Sequence, residues 1–398
     1  MEEHFQHLYQ ALSQVDGYIY PNEIDLHWGL MIVLYPYITG LVAGAFILAS
    51  LERVFHVKVL KPTYGLALLT ALAFLVVATM PLVSHLQHPL RSYEIFMTPN
   101  PTSAMAIFGF VYLWYLMAVL LLEIWFDYRR DFVIWSKTSK GFKKLFYQLI
   151  TLGINDTDEK SAKLDDRLRY FITVIGIPSA FLLHGYVGFI FGSIKANPWW
   201  STVLMPIIFL FSAMVSGVAL VMLIYMVVSW IRKVDIDMKC LDTIARYLLF
   251  ILIIDFTLES LDQIHRIYEA EESFDIISVL VSGKLNITLA VMQVGLGTIF
   301  PLSVLGLFQF YKPSEKVRKF FYFLIGGMVL VGIFFMRWNV VIGGQLFSKS
   351  LSGFTSFKTV YSGMEGSVMA AVWLILPLFI LAFLLWLMPP WKKISYNE

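Results

Sequence analysis

Nine times in this chain the sequence runs apolar for twenty residues or so, at roughly 28–51, 65–85, 104–126, 168–193, 202–230, 242–264, 285–310, 318–340 and 366–388. About twenty such residues form a helix long enough to cross the hydrocarbon core of a bilayer. A backbone in lipid must satisfy its own hydrogen bonds, so each run is predicted to be a helix. The expected fold is all-α: a polytopic transmembrane bundle of nine helices, or ten if 274–283 or 341–362 forms a re-entrant or interfacial element. Residues 1–398 read as a single integral membrane domain.

Composition agrees, with 58% hydrophobic and 15% charged residues, against roughly half and a quarter in soluble domains. The first 27 residues are polar and acidic and lack a basic start followed by an apolar stretch, so no cleavable signal peptide is expected. The single Cys240 rules out an intrachain disulfide, a Cys-ligated iron–sulfur cluster and a Cys zinc site. A net charge of +2 gives no indication of nucleic acid, and none is expected as a partner.

Lysine and arginine set the predicted orientation, because short cytoplasmic loops carry the excess of positive charge. Every second loop is rich. The N-terminal 27 residues have none, Arg91 stands alone in its loop, and 127–167 has nine, among them Arg129, Arg130, Lys143 and Lys144. This places the N-terminus outside and the C-terminus in the cytoplasm. The 127–167 segment is the one sizeable cytoplasmic loop. Its "GFKKLFYQLITLGI" reads as a short helix on the membrane surface, and its "NDTDEKSAKLDD" as a solvated linker. Outside, Glu269, Glu271, Glu272 and Asp275 form an acidic cluster in a short loop.

The helix at 242–264 is unusual. "FILIIDFTLESLDQIHRIYE" places Asp255, Glu259 and Asp262 at i, i+4 and i+7, on one helix face. A charge at mid-membrane costs about 2.5–3.5 kcal/mol on insertion scales. That face must therefore look into the bundle or into a wet cavity, as a structural ion-pair network or as a proton-handling site. His27, His85, His184 and Arg337 also fall in the outer half, and with these acids they predict a polar pocket there. Tyr35, Tyr112, Trp114, Tyr115 and Tyr186 are candidates to line it, beside the plainer reading of an interfacial aromatic belt. In the inner half, Glu123 is a candidate to carry a proton route inward, with Asp127 one turn on. No phosphate loop, nucleophile–base spacing or metal motif occurs. No mid-helix pairs of histidines offer themselves to a haem, although His85 and His184 remain a conceivable pair.

Several stretches resemble the NrfD/PsrC family of quinol-interacting membrane subunits. "LYPYITGLVAGAFILASL" (34–51) looks like its small-residue first helix, and "HLQHPLRSYEIFMTPNPTSAMAIFGF" (85–110) is similar to its second-to-third-helix junction. Many relatives have Asp-Leu-Gly-Arg-Pro there; this chain has His85, Gln87, His88 and Pro89, an imidazole in place of a carboxylate. "LLHGYVGFIFG" and "RWNVVIGGQLFSKSLSGF" (337–354) resemble the longer branch that contains the hydrogenase subunit HybB and, most closely, DsrP of the DsrMKJOP complex of sulfur metabolism.

The resemblance implies a subunit of a respiratory redox complex in a prokaryotic cytoplasmic membrane. Such a subunit binds menaquinone or another quinone near the outer face. It holds no haem or metal of its own and passes electrons to an external ferredoxin-like iron–sulfur subunit. The expected quinone contacts are His85, His184, Tyr35, Ser103, Met105, Trp114 and Tyr186. The expected proton carriers are His184, Glu259 and Asp262 at the site, with Glu123, Asp255 and Arg337 extending the relay. The rival classes are a secondary transporter, whose broken helices would be at Pro206 or Pro301, and a haem b electron carrier.

Overall fold

The computed structural model describes residues 13, 15–86, 88–269 and 273–392. Gln87 and the acids Glu271 and Glu272 lie outside them. Among the described residues eight helices are long and apolar enough to cross a membrane. They are α1 (Leu30–Arg53), α2 (Lys58–His85), α3 (Ala104–Thr138), α5 (Glu159–Gly192), α6 (Met205–Ile231), α9 (Asn286–Phe310), α10 (Glu315–Gln345) and α11 (Ser367–Leu387). A ninth long helix, α7 (Met238–Glu269), has 32 residues, which is about 48 Å of helix. Its charges, Asp255 and Glu259 among them, keep it out of the apolar set, although its buried face packs on α6 and α9 like its neighbours. The chain is a polytopic all-α membrane protein.

Helix ends depart from the sequence reading at the basic loop. The third helix continues to Thr138, and α4 (Gly141–Ile150) lies beyond it. The stretch expected to be solvated linker is helical from Glu159, because Asp158 caps α5 by accepting from the Ser161 amide at 2.8 Å. Of the two candidate tenth elements, 274–283 holds a nine-residue helix, α8 (Phe274–Ser282), about 14 Å long and too short to span. The other, 341–362, holds the end of α10 and then a loop whose strand β2 (Gly353–Phe354) pairs with β1 (Asp16–Gly17).

The bundle has two halves. Helices α1, α2, α3 and α5 form the first, α6, α7, α9 and α10 the second, and α11 packs on α2. The seam is α1 against α6, where small residues let the backbones meet. A Cβ on Gly44 would lie 2.8 Å from the Gly217 Cα, so neither position admits a side chain without moving a helix.

Loop contacts sort onto two faces. On one, Trp28 bonds Gln345, Asn197 donates to the Gly344 carbonyl, and Lys284 pairs with Asp16. On the other, Arg53 pairs with Asp166, the Tyr147 hydroxyl donates to the Leu387 carbonyl, and Arg232 lies over the Trp391 ring. The start of α1 and the end of α11 are thus on opposite faces, as an odd number of crossings requires. The second face holds the Lys/Arg-rich loops and is called the inner face here; the first is the outer.

Candidate functional site

Two buried polar assemblies sit inside the bundle, one in each half. The larger lies in the outer half and centres on α7. Asp255 and Asp262 are buried, and Glu259 between them is half-buried. The Glu259 carboxylate accepts from Gln293 Nε2 at 3.2 and 3.3 Å, and Gln293 Oε1 accepts from Asn339 Nδ2 at 2.8 Å. Asp262 accepts from Arg266 Nε at 3.0 Å, and Arg266 also donates to the Pro198 carbonyl. Gln293 stands in a π-helical stretch, Asn286–Ile299. Such wide turns re-aim side chains and are frequent at functional sites.

Arg337, about two turns from the outer end of α10, is wholly buried. It donates to Ser212 Oγ at 2.6 Å and to the Phe209 carbonyl at 3.3 Å, and its guanidinium lies 3.9 Å from the Phe209 ring centre. It is close enough to Asp255 and Glu259 to interact electrostatically. Its Nη2 also meets His184 Nε2 at 3.0 Å. An arginine only donates, so Nε2 must accept, and the imidazole hydrogen sits on Nδ1, facing Thr39 Oγ1 at 3.4 Å. His184 is therefore not an open base on a pocket wall, as the sequence reading expected. Its accepting nitrogen is already occupied.

A cavity of about 240 Å³ opens between α7, α9 and α10. Phe256, Trp199, Met336, Leu289 and Val281 form apolar walls; Glu259, Asp262, Gln293 and Asn339 supply polar ones. Trp199 Nε1 donates to the Asn339 carbonyl at 2.9 Å and fixes one wall. Asn339 Oδ1 is buried with no hydrogen-bond partner.

The second assembly is in the inner half. Glu123 is fully buried; its Oε1 accepts from Thr173 at 2.8 Å and Tyr64 at 3.1 Å, and its Oε2 has no partner. Asp127 pairs with Arg169, which also holds Asp166 at 2.6 Å. The helix reaches Glu123 through another π-helical stretch, Tyr115–Leu121. Tyr115 itself is buried and packs on Phe46.

None of the seven residues expected to contact a quinone lines the outer cavity. Tyr35, Ser103, Met105 and Tyr186 lie at the outer ends of α1, α3 and α5. Ser103 caps α3 by accepting from the Ala106 amide, Met105 is half-buried on the next turn, and the Tyr186 hydroxyl donates to the Ala104 carbonyl at 2.7 Å. Tyr35 is buried edge-on against Phe108, and its hydroxyl has no partner. Trp114 is 51% exposed on the outside of the bundle and donates to Ser179 Oγ at 3.0 Å. His85 pairs with Glu365 at 2.9 Å at the outer end of α2, so it does not meet His184. His27 is exposed. Among the described residues no group of three or more His, Cys, Asp or Glu gathers as a metal site.

Asn339, Trp199, Ser212, Tyr64 and Thr173 escaped the sequence reading. Asn339 had a signal: an amide in an apolar helix two residues after a buried arginine. The others are common residue types whose partners lie on other helices.

The comparisons decide the family. The family model for polysulphide reductase NrfD matches residues 21–349. The chain belongs to the NrfD family. It is 30% identical over 325 residues to the C subunit of the selenate reductase of Mesobacillus selenatarsenatis, covering 79% of this chain and 73% of that one. It is also 27% identical over 205 residues to a putative dimethyl sulfoxide reductase membrane subunit of Halobacterium salinarum, covering 50% of this chain and 42% of that one. The NrfD match includes every residue of both buried assemblies.

Proposed function

We propose that this NrfD-family chain is the membrane subunit of a multi-subunit reductase complex in a prokaryotic cytoplasmic membrane, and that it binds a quinone at the outer cavity. The observation that carries the reading is an apolar-walled cavity lined by Glu259 and by Asn339, whose Oδ1 is buried without a partner. Buried polar atoms are nearly always satisfied, so an orphan in a residue that lines a cavity offers an acceptor to a ligand that enters it. Asn339 Oδ1 and the Glu259 carboxylate are both acceptors, which fits the hydroxyls of a quinol. At 240 Å³ the space suits a ring whose tail lies outside, being smaller than the about 300–1,000 Å³ of sites for larger ligands. Phe256, Val281 and Leu289 offer that tail an apolar wall. The family and the names of the relatives support the same reading.

A bound quinol supplies two electrons and two protons. Glu259 is placed to take a proton, because its hydrogen-bond partner is a neutral amide and it faces the cavity. Asp262 is committed to Arg266. Arg337, held by Ser212 and the Phe209 carbonyl, keeps a positive charge behind the acids. The single cysteine of the chain cannot ligate a cluster, so the electrons pass to an iron–sulfur partner docked on the outer loops. Of the two breaks a transporter reading would use, Pro206 opens the first turn of its helix and breaks none, while Pro301 lies inside α9 where its π-helical stretch ends. One observation favours a different place for the ring: the unpartnered Tyr35 hydroxyl in the first half.

Photolabelling of the intact complex with an azido-menaquinone separates the two places. Labels on Phe256, Leu289 or Met336, with Asn339→Ala slowing quinol turnover about ten-fold or more and Tyr35→Phe changing it less than two-fold, support the cavity. Labels around Tyr35 and Phe108, with the kinetic effects reversed, move the ring to the first half. No label and no kinetic effect from either variant refutes quinone binding by this chain.

A further inference from the structure

The inner face carries another cavity, of about 590 Å³, between the end of α6, the loop after it and the first turns of α10. Its walls include Ser229, Trp230, Lys233, Val234, Asp235 and Lys319. The two helices touch closely deeper in the bundle, where a Cβ on Gly326 would lie 2.7 Å from Leu223 Cγ. One turn nearer the inner face their outward sides carry Val227 and Phe323, 38% and 53% exposed. Trp230 follows at 79%. Exposed apolar side chains thus lead along the two helices to a cavity with two ammonium groups.

Five inner-face cations near the helix ends are committed: Arg53 to Asp166, Arg129 to Asp165, Arg169 to Asp127, Arg318 and Lys312 to Asp242. Lys233 and Lys319 have no side-chain hydrogen bond or ion pair among the described residues, and Lys319 is half-buried. Asp235 also lines the cavity and leaves it with one net positive charge. Lys233 ends α6 in the left-handed region at φ 54°, a place that favours glycine. There the Val234 amide bonds back to the Ser229 carbonyl at 3.0 Å. A lysine held in a costly backbone conformation thus shares a cavity with an unpaired lysine at the inner end of the bundle.

We propose that this cavity binds the phosphate headgroup of an anionic phospholipid, with the acyl chains lying along Trp230, Val227 and Phe323. The phosphate answers the two unpaired ammonium groups, and the chains cover the exposed Trp230, Val227 and Phe323 side chains. Inorganic phosphate would satisfy the charge and leave those side chains bare. Basic pockets between helices on the cytoplasmic side have the chemistry to hold anionic headgroups. The assignment is independent of where the quinone binds.

The test uses the delipidated full-length chain in detergent and native mass spectrometry with phosphatidylglycerol, phosphatidylcholine and inorganic phosphate as probes. Wild type should retain phosphatidylglycerol at least ten-fold better than phosphatidylcholine. Lys319→Gln and Lys233→Gln should each lower that preference about five-fold, and Trp230→Ala should weaken both lipids alike. Lys233→Gly is the folding control: it relieves the left-handed residue, so it should fold at least as well as wild type and still lose preference. Equal retention of the two lipids by wild type, or an unchanged preference in Lys233→Gly and Lys319→Gln, overturns the proposal. So does displacement of phosphatidylglycerol by millimolar phosphate with Trp230→Ala silent, which would make this an inorganic-anion site.

Discussion

Glu123 and Glu259 are both carboxylates inside a membrane bundle, and both lie beside a π-helical stretch, yet their surroundings differ. Glu123 is sealed: two hydroxyls, Tyr64 and Thr173, hold one oxygen, and it lines neither cavity. Glu259 stands on a cavity wall, with an amide as partner and a buried arginine behind it. A sealed acid can brace helices but has no route for a proton or ligand. An acid on a cavity wall has one. What separates the two carboxylates is therefore access, not depth or charge.

The sharpest way to break that comparison is to remove the cation behind the open site. Arg337→Met should strand Asp255 and leave His184 and Ser212 without their donor. Loss of one member of a buried charge group costs about 3–5 kcal/mol, so the complex should be recovered in low yield, read by size-exclusion chromatography after mild extraction. Normal yield would mean that the acids do not need the arginine. Next is the contrast between the carboxylates themselves. Glu259→Gln keeps the shape and removes the titration, so quinol-linked turnover of an assembled complex should fall about ten-fold or more. Glu123→Gln should cost less than two-fold in turnover. Equal losses would join the two acids in one proton route and erase the difference in access.

The smallest expected effect lies at the outer strap, where the segment before α1 meets the 341–362 loop. Burial pushes the Glu23 carboxyl up, but hydrogen bonds from the Ser348 hydroxyl and the Lys349 and Tyr20 amides outweigh it, leaving the carboxyl below its ordinary 4.5. A group with a lowered folded value adds stability above its unfolded value and loses it as pH falls through the folded one. Protection of residues 15–28 against hydrogen exchange, corrected for the intrinsic pH dependence of amide exchange, should therefore be weaker below about pH 4 than at pH 7, with protection of the transmembrane helices unchanged. Glu23→Gln should remove the pH dependence. Unchanged protection in wild type would mean that the strap is held without the Glu23 contacts.

The sequence by itself determined the class, the long helices and the side of the basic loops, because these follow from rules that act on one segment at a time. A run of twenty apolar residues must be helical in lipid, whatever its neighbours. The spacing of Asp255, Glu259 and Asp262 likewise settles that they share a face. Tertiary structure decided everything that depends on which helix faces which. It gave Arg337 to His184 and so occupied the nitrogen that a base would need. It brought Gln293 and Asn339 to Glu259, set Trp114 outside the bundle and His85 against Glu365, and placed the cavity away from the residues expected to line a quinone site. A side chain's partner four residues away is written in helix geometry. A partner 46 residues away, as Asn339 is to Gln293, exists only once the helices have packed.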